Sequence, residues 1–254
     1  MILDKFKLDG RVALVTGAAT GLGQAMAVAL AEAGADVAVH GRSAGAAKET
    51  CDAIEKLGRK TMAVGGEMSD KEAPKRIVAE VIDKFGRIDI LINNAGTIRR
   101  TPAVDYSEED WATVVEVNLS SIFRISQAAA RHMIEQGGGK IVNIASLLSF
   151  QGGITVPAYT ASKAGVAGLT KAFANEWAKH NINVNAIAPG YMATKNTAAL
   201  QADETRNRQI MERIPAGRWG DVSDLAGTAV FLSSAASDYV QGHILIVDGG
   251  WMAR

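Results

Sequence analysis

VALVTGAATGLG, residues 12–23, passes from an apolar run into a glycine-rich turn and then into a helical pattern. Val12–Val15 predicts a buried strand, and Leu22–Ala33 predicts an amphipathic helix directly after the turn. Glycines give such a turn unusual backbone angles and let a phosphate approach the main chain. The free N–H groups and positive dipole end of the helix can then bind a pyrophosphate. The GxxxGxG spacing at this junction therefore predicts a dinucleotide site, with an unliganded tight turn as the alternative.

Apolar runs alternate with amphipathic segments from this stretch almost to the end of the chain. The predicted strands are Val12–Val15, Asp36–Val39, Thr61–Val64, Ile88–Ile92, Lys140–Ile144, Asn183–Ile187 and Ile244–Val247. The predicted helices are Leu22–Ala33, Ala46–Leu57, Lys71–Phe85, Glu108–Gln136, Tyr159–His180 and Val222–Ser233. This βαβ alternation predicts an α/β fold in which helices cover both faces of a parallel sheet. Because no Pro/Ser-rich linker or repeat divides the pattern, we expect one domain over residues 1–254.

The composition excludes several classes of protein. The 254 residues are 48% hydrophobic, enough for a large core, and 27 basic residues balance 27 acidic ones. A chain without net charge has no general field that would attract nucleic acid or an anionic membrane. The single cysteine, Cys51, excludes an intrachain disulfide and fits a reducing compartment. With no apolar run near ~20 residues and no signal-peptide core, we expect a cytoplasmic protein without a membrane span.

The four histidines offer no metal site. They are scattered along the chain without the spacing that metal ligands need. Each is interpreted as a surface residue or a satisfied core residue, and no metal is expected. These histidines are His40, His132, His180 and His243.

The segment 191–219 departs from the alternation. It is polar, it follows Pro189-Gly190, and it ends in IPAG at residues 214–217. Functional loops of parallel sheets collect beyond the carboxyl ends of the strands. We therefore interpret the segment as a mobile flap over a substrate, with an ordinary surface insertion as the alternative.

The end of the second predicted strand carries a cofactor signal. An NAD-selective site has an acidic residue here, which accepts hydrogen bonds from the ribose 2′-hydroxyl. This chain has VHGRS at residues 39–43, with no carboxylate. Arg42 can instead pair with a 2′-phosphate, which favours NADP(H). An arginine that is solvated, or stacked on adenine, is the alternative.

Tyr159 and Lys163 open a helical pattern and are four residues apart, so they share one face of the helix. A free tyrosine, with a pKa of ~10, is a poor base at neutral pH. A nearby ammonium group favours the phenolate, so we expect Lys163 to lower the pKa of Tyr159. The pair could then exchange a proton with a substrate oxygen. A Tyr-x-x-x-Lys pair on its own is usually structural, and the surrounding residues decide between the two interpretations.

Further polar residues follow other predicted strands. Ser146 lies thirteen residues before Tyr159, just after the fifth strand, where its hydroxyl could hold the same substrate oxygen. Asn93-Asn94-Ala95-Gly96 follows the fourth strand, and Asn118 lies inside an apolar helical pattern, where an amide needs polar partners. All of these elements leave the carboxyl ends of strands, where ligands bind in open α/β sheets.

Together these residues resemble the short-chain dehydrogenase/reductase family over essentially the whole chain. The matching residues, in family order, are Thr16–Gly23, Asn93–Gly96, Asn118, Ser146, Tyr159–Lys163 and Pro189-Gly190. The resemblance implies an NAD(P)-dependent oxidoreductase with a Rossmann-type doubly wound sheet of seven parallel strands. It implies Tyr159 as general acid/base, Ser146 as the holder of the substrate oxygen, and Asn118 as the holder of a water in a proton relay. Lys163 would bind the nicotinamide ribose and lower the pKa of Tyr159.

The same resemblance implies a set of cofactor contacts. Glu67 stands where the family usually has an aspartate near adenine, a mild departure. The implied cofactor contacts, together with Arg42, are Gly17, Thr20, Gly21, Leu22, Glu67, Met68, Asn94, Ala95, Gly96, Tyr159, Lys163, Pro189, Gly190, Met192 and Thr194.

The sequence is also similar to a narrower group within the family, the 2-deoxy-D-gluconate 3-dehydrogenases, also known as 2-dehydro-3-deoxy-D-gluconate 5-dehydrogenases. The stretches that carry this similarity include NNAGTIRR (93–100), SFQGG (149–153), PGYMAT (189–194), RIPAGRWG (213–220) and DGGWMAR (248–254). It implies a sugar-acid substrate, whose carboxylate Arg99 or Arg100 could neutralise. Gln151 and Tyr191 could contact its hydroxyl groups, beside Ser146 and Tyr159. The group is considered to use NAD, in contrast to the indication from Arg42.

The helix from Tyr159 carries the small residues Ala161, Ala164, Ala167 and Gly168, which permit close helix packing. In the family this helix lies at a subunit interface, so by analogy we expect a homotetramer. Three other enzymes remain as alternatives: a 3-oxoacyl-carrier-protein reductase, a gluconate 5-dehydrogenase and a glucose 1-dehydrogenase. A nucleotide-sensing regulator without catalysis is the alternative of another class, and Tyr159 and Lys163 argue against it.

Overall fold

The computed structural model describes residues 1–254 and contains one sheet of seven strands. The strands are β1 (Val12–Val15), β2 (Asp36–Gly41), β3 (Thr61–Gly65), β4 (Ile90–Asn93), β5 (Gly139–Ile144), β6 (Ile182–Pro189) and β7 (Ile244–Val247). Their order is β3-β2-β1-β4-β5-β6-β7, and every neighbouring pair is parallel. This confirms the expected Rossmann-type doubly wound α/β sheet.

Nine α-helices connect and flank the strands. They are α1 (Gly21–Glu32), α2 (Lys48–Lys56), α3 (Ala73–Phe85), α4 (Glu108–Val115), α5 (Ser121–Glu135), α6 (Pro157–Trp177), α7 (Ala198–Ala202), α8 (Glu204–Met211) and α9 (Ala226–Ser233). No helix is both long enough and apolar enough to span a bilayer.

The core has two apolar layers, one on each face of the sheet. On one face Leu30 of α1, Ile54 of α2 and Leu232 of α9 are buried in one cluster. On the other face Ile77 of α3 and Ile125 of α5 belong to a second cluster. Because helices cover both faces, β1, β4 and β6 are buried at every position. β1 is therefore apolar throughout, while β4 and β6 are mostly apolar and include buried asparagines, Asn93 in β4 and Asn183 and Asn185 in β6.

The direction of the chain across the sheet reverses between β1 and β4. From β1 the chain passes outward to β2 and β3, and it then crosses back so that β4 pairs with β1, with Val15 beside Ile92. A crevice opens beyond the carboxyl ends of the strands at such a switch point, and ligands bind there in open α/β sheets. The turn after β1 and the residues after β4 meet at this crevice.

The predicted helix 108–136 is interrupted. A π-helical turn, Glu116–Ser120, separates α4 from α5, and Ser121 N donates to Glu116 O across it. The side chain of Asn118 inside this turn bonds to the main-chain N–H and carbonyl of Thr97. π-Bulges of this kind are frequently found at functional sites.

The segment 191–219 is partly helical, with α7 and α8 inside it. Asp203 caps α8 by accepting a hydrogen bond from Arg206 N, and Ile210 is buried against Leu147 and Trp251. These helices are short and largely polar, so their apolar periodicity is too weak to distinguish them from a loop in the sequence.

Candidate active site

The glycine-rich turn after β1 has the shape of a phosphate cradle. Gly17 has a φ of +60°, and a Cβ there would lie 2.8 Å from Ala95 Cα. A side chain at Gly23 would collide with Gly17 O, so helix α1 can approach the turn only with glycine at this position. The residue before α1, Thr20, makes no side-chain capping bond. The first N–H groups of α1 therefore have no side-chain acceptor, and they fit a dinucleotide pyrophosphate.

The residues after β4 hold this turn in place. Asn94 Nδ2 donates to Thr16 O at 3.0 Å and to Gly17 O at 2.9 Å. In return the buried Thr16 Oγ1 accepts from Asn94 N at 2.9 Å and from Ala95 N at 3.0 Å. The Asn-Asn-Ala-Gly stretch thus builds one wall of the cradle.

The far end of the cradle lies at β2 and β3. Arg42 directly follows β2, is exposed and makes no ion pair within the chain. Beyond β3, Glu67 is exposed and the side chain of Met68 is buried. Because β2 and β3 pair in parallel, with Gly41 beside Gly65, Arg42 and Glu67 leave the same edge of the sheet. Arg42 is thus an exposed cation without an ion-pair partner beyond the carboxyl end of β2.

Ser146, Tyr159 and Lys163 are brought together by β5 and α6. Ser146 follows β5 and accepts a hydrogen bond from Leu148 N at 3.2 Å, which leaves its own O–H free to donate. Helix α6 begins at Pro157, two residues before the predicted start, since proline is favoured in the first helical turn. Lys163 Nζ lies 5.7 Å from the centre of the Tyr159 ring and donates to Ile144 O at 2.5 Å.

The expected lowering of the Tyr159 pKa by Lys163 is wrong for this structure. Burial raises the pKa of Tyr159 above its usual 10, and the Ser146 hydroxyl and Arg100 counteract this only in part. Burial also lowers the pKa of Lys163, to about 8. Since the Lys163 amine bonds to a main-chain carbonyl and is itself desolvated, it does little for a phenolate here. A protonated Tyr159 is the form that can give a proton to a carbonyl oxygen.

Asn118 lies in the π turn with its amide engaged by protein groups. Its Oδ1 accepts from Thr97 N at 2.8 Å, and its Nδ2 donates to Thr97 O at 2.8 Å and to Ser162 Oγ at 3.3 Å. The side chain therefore fixes the loop after β4 against α6. One acceptor position on Oδ1 is left for a further donor, such as water.

The two arginines after β4 have different surroundings. Arg99 pairs with Asp110 at 3.3 Å and also donates to Thr97 Oγ1 at 3.0 Å. Arg100 is exposed, makes no ion pair within the chain, and is close enough to Tyr159 to lower the pKa of the phenol. Arg100, and not Arg99, is therefore an unpaired positive charge near the phenol of Tyr159.

Gln151 and Tyr191 meet around Trp251. The indole N–H of Trp251 points to Gln151 Oε1 at 3.5 Å, and the Tyr191 and Trp251 rings lie 4.7 Å apart. Tyr191 also packs edge-on against Trp219, at 5.5 Å between ring centres. This aromatic cluster joins the loop after β5, the 191–219 segment and the C-terminal turn. The amide nitrogen of Gln151 makes no bond to protein and remains able to donate to a ligand.

The remaining expected cofactor contacts follow β6. Gly190 N donates to Val247 O at 2.8 Å, so the chain continues beside β7 before it turns into the 191–219 segment. Met192 is buried, and Thr194 begins the short helix Lys195–Thr197. Pro189 is the last residue of β6, and Gly190, Met192 and Thr194 lie beyond it, on the same side of the sheet as the glycine-rich turn.

Sequence reasoning missed the functions of two polar residues. Ser149 joins the Ser146 loop to α6, because its Oγ accepts from Ser146 N at 3.3 Å and donates to Lys163 O at 2.7 Å. A serine three residues after Ser146 forms a capping box around a short helix, and that spacing could have revealed it. His40 is buried with both ring nitrogens hydrogen-bonded, in agreement with its interpretation as a satisfied core histidine. One of its partners, Gly17, belongs to the glycine-rich turn, and no sequence pattern indicates this contact.

A Rossmann-type sheet whose strand ends carry a phosphate cradle and a tyrosine–lysine pair defines a class, the nicotinamide-dependent oxidoreductases. Within that class, the chain belongs to the short chain dehydrogenase family, whose model matches residues 11–205. This confirms the family expected from the motifs, the enzyme class, and NAD or NADP as the cofactor.

Individual relatives match the whole chain. It is 56% identical to the 2-dehydro-3-deoxy-D-gluconate 5-dehydrogenase of Dickeya dadantii, with all of both chains covered. Among solved structures, it is 57% identical to an Agrobacterium tumefaciens protein assigned as a 2-deoxy-D-gluconate 3-dehydrogenase and solved with bound NADP; the TM-score is 0.92, covering 98% of this chain and 99% of that one. A gluconate 5-dehydrogenase from Burkholderia cenocepacia, solved with NADP and tartrate, is 40% identical with a TM-score of 0.96 over 100% of both chains.

Proposed function

We propose that this enzyme interconverts a secondary alcohol and a ketone on a sugar acid, as a 2-deoxy-D-gluconate 3-dehydrogenase or 2-dehydro-3-deoxy-D-gluconate 5-dehydrogenase. The observation that carries the proposal is the position of Ser146 and Tyr159, with an unpaired Arg100 on the phenol side, beside the dinucleotide cradle. The names of the relatives from Dickeya dadantii and Agrobacterium tumefaciens supply the substrate class.

In this proposal the residues around the cleft handle the proton. When bound, NAD or NADP accepts or supplies the hydride. In the reducing direction, the Ser146 hydroxyl donates a hydrogen bond to the ketone oxygen, and Tyr159 gives that oxygen a proton. In the oxidising direction, Tyr159 accepts the hydroxyl proton as the hydride leaves the same carbon. Lys163 orients the nicotinamide ribose, and Asn118 holds the loop after β4 and a water at its free acceptor position.

We infer a preference for NADP. A 2′-phosphate needs a cation at the end of β2, and Arg42 is free there without a competing carboxylate. Two of the related structures contain NADP, which supports the same preference. The other expected cofactor contacts, from Gly17 to Thr194, retain their proposed roles along the crevice.

The substrate carboxylate is assigned to Arg100. A bidentate hydrogen bond from a guanidinium suits a carboxylate, and Arg99 is already paired with Asp110. Gln151 and Tyr191 are proposed to contact hydroxyl groups of the sugar acid. The 191–219 segment then acts as a flap on the single domain, with the aromatic cluster around Trp251 as the place where it closes.

We also propose a homotetramer. On α6, Ala161, Ala164 and Gly168 are exposed and lie on one side of the helix, and Phe123 of α5 is 43% exposed although it is a large apolar residue. Small residues let a helix of a second copy approach closely. Sedimentation tests this: a tetramer is expected for the wild type, and a monomer would contradict the proposal.

A steady-state panel tests the substrate and the cofactor together. It contains 2-deoxy-D-gluconate, 2-dehydro-3-deoxy-D-gluconate, gluconate, glucose and an acyl thioester, each with NAD(H) and NADP(H). The highest kcat/KM is expected for one of the first two sugar acids. Turnover of the thioester alone, of glucose alone or of gluconate alone would indicate one of the alternative reductases or dehydrogenases. No turnover with intact dinucleotide binding would indicate a nucleotide sensor.

A further inference from the structure

His40, the fifth residue of β2, is buried and has both ring nitrogens engaged by the main chain. Gly17 N donates to His40 Nδ1 at 3.2 Å, and His40 Nε2 lies 2.9 Å from Gly66 O. Gly17 belongs to the turn that meets the pyrophosphate, and Gly66 immediately precedes Glu67 and Met68 on the adenine side. The imidazole ring thus connects the two walls of the adenosine half of the crevice.

The two partners define a single protonation state of the ring. A main-chain N–H can only donate, so Nδ1 must be an unprotonated acceptor toward Gly17. A carbonyl can only accept, so Nε2 must carry the hydrogen that bonds to Gly66. A second proton on Nδ1 would place two N–H groups against each other at 3.2 Å and break the bond to Gly17. The geometry therefore requires neutral imidazole.

We propose that His40 is a positioning residue for the dinucleotide: it fixes the glycine-rich turn against the Gly66–Met68 segment, and it does so only while its ring is neutral. The inference rests on the proposed function, since it assumes a dinucleotide in this crevice. It predicts that affinity for the cofactor declines at mildly acid pH, because the protonated ring releases Gly17.

The surroundings of the ring support this. Burial lowers the pKa of His40 below its usual 6.5, and the bond to Gly66 opposes this in part. The charged groups that face the ring are Arg76 of α3, which lowers the pKa, and Glu67 after β3, which raises it. Arg76 is itself paired with Glu80 at 2.6 Å. The folded state therefore favours the neutral ring at neutral pH, and the bond to Gly17 is lost as the pH falls through the lowered pKa.

Two substitutions test the bond of His40 to Gly17 and its bond to Gly66 separately. In His40→Asn the amide oxygen can occupy the place of Nδ1 and still accept from Gly17, but it cannot reach Gly66. In His40→Gln the amide nitrogen can occupy the place of Nε2 and donate to Gly66, but no acceptor remains for Gly17. Neither amide titrates, so both variants should lose the pH dependence.

The test is fluorescence titration of each protein with NADH between about pH 5 and about pH 7.5, with NADPH as a second ligand. NADH is the primary probe because it lacks the 2′-phosphate, which itself titrates near pH ~6. Wild-type affinity is expected to fall progressively toward the acid end of this range, because protonation of His40 competes with its bond to Gly17. His40→Gln should bind NADH about tenfold more weakly at neutral pH, His40→Asn should bind more tightly than His40→Gln, and both should be nearly independent of pH. His132→Gln, which changes a histidine in the last turn of α5 and leaves His40 in place, should retain the wild-type pH dependence.

Thermal denaturation shows whether a variant binds weakly because it is unfolded. The pH dependence of wild-type NADH affinity tests the proposal without any substitution. A wild-type affinity that is constant down to about pH 5, or an unchanged pH dependence in His40→Asn, would overturn the inference. Failure of the folded wild type to bind either dinucleotide at any pH would overturn the proposed function as well.

Discussion

The Ser149 hydroxyl donates a hydrogen bond of 2.7 Å to the main-chain oxygen of Lys163. The same oxygen atom of Ser149 accepts from Ser146 N at 3.3 Å. One side chain therefore sets the distance between the loop that carries Ser146 and the helix that carries Tyr159 and Lys163. Such a bond matters because proton transfer is sensitive to small displacements of the reacting groups.

Ser149→Ala should lower kcat about fivefold, the equivalent of the ~1 kcal/mol of one net hydrogen bond. The dissociation constant of the cofactor should be unchanged, since the Ser149 side chain bonds only to the main chain of Ser146 and Lys163 and not to the glycine-rich turn. Ser149→Thr keeps the hydroxyl and should restore most of the rate. An equal loss of kcat in both variants, or a loss of cofactor affinity in parallel, would point to a general structural role.

Tyr159→Phe should abolish most of the turnover while cofactor binding persists. Removal of a general acid costs about 100-fold to 10,000-fold in rate. Steady-state kinetics and NADPH titration of the same sample measure the two effects. Tyr239→Phe is the matched control, because Tyr239 is fully exposed and should tolerate the change. Residual activity of Tyr159→Phe within about threefold of the wild type would remove Tyr159 from the mechanism.

Lys163 should give an alkaline limb to the pH profile. Burial lowers its pKa to about 8, so the ammonium form is lost as the pH rises through that value. The profile of kcat/KM for NADPH reports groups of the free enzyme, and it should decline above about pH 8. In Lys163→Arg any remaining activity should lack this limb, since a guanidinium does not titrate in this range. A wild-type profile that stays level to about pH 10 would contradict the assignment.

The sheet could be predicted from the sequence because its central strands β1, β4 and β6 are buried at every position and helices alternate regularly with the strands. The observed strands differ from the predicted ones by at most two residues at either end. The break in the helix at Glu116–Ser120 could not be predicted, because it depends on bonds between Asn118 and Thr97, which are 21 residues apart. Short polar helices such as α8 have too few apolar positions to be detected.

The candidate site, like the fold, could be predicted from the sequence only in part. Tyr159, Lys163 and Ser146 could be proposed from the sequence because each stands at a fixed place relative to a strand or helix end. The pKa of Tyr159 was misjudged because sequence spacing gives neither burial nor the direction of a lysine side chain, and Lys163 bonds to Ile144 O. The roles of Ser149 and His40 depend on main-chain partners from distant elements, and a sequence pattern contains no record of these.

Arg42 should control the choice between the two cofactors. Arg42→Ala should weaken NADPH binding about tenfold, which corresponds to one charge-assisted hydrogen bond of ~1.4 kcal/mol, and leave NADH binding nearly unchanged. Arg131→Ala, an exposed arginine on α5, should affect neither ligand. Equal losses for NADPH and NADH in Arg42→Ala would mean that the side chain stacks on adenine and does not recognise the 2′-phosphate.

Arg99 and Arg100 form a matched pair for testing the substrate carboxylate. They are adjacent and equal in charge, but Arg99 is paired with Asp110 and Arg100 is free near Tyr159. Arg100→Ala should raise KM for the sugar acid about 10- to 100-fold, since a hydrogen bond to a charged group is worth ~1.5–3 kcal/mol. It should leave KM for an uncharged analogue, such as the corresponding lactone or sugar alcohol, within about twofold, because that ligand has no charge for the guanidinium to neutralise. Arg99→Ala should change neither value by more than about threefold, as its partner is a protein carboxylate. Equal losses on the acid and the uncharged analogue would show that Arg100 shapes the cleft without binding the carboxylate, and a larger effect from Arg99 would reverse the assignment of the two residues.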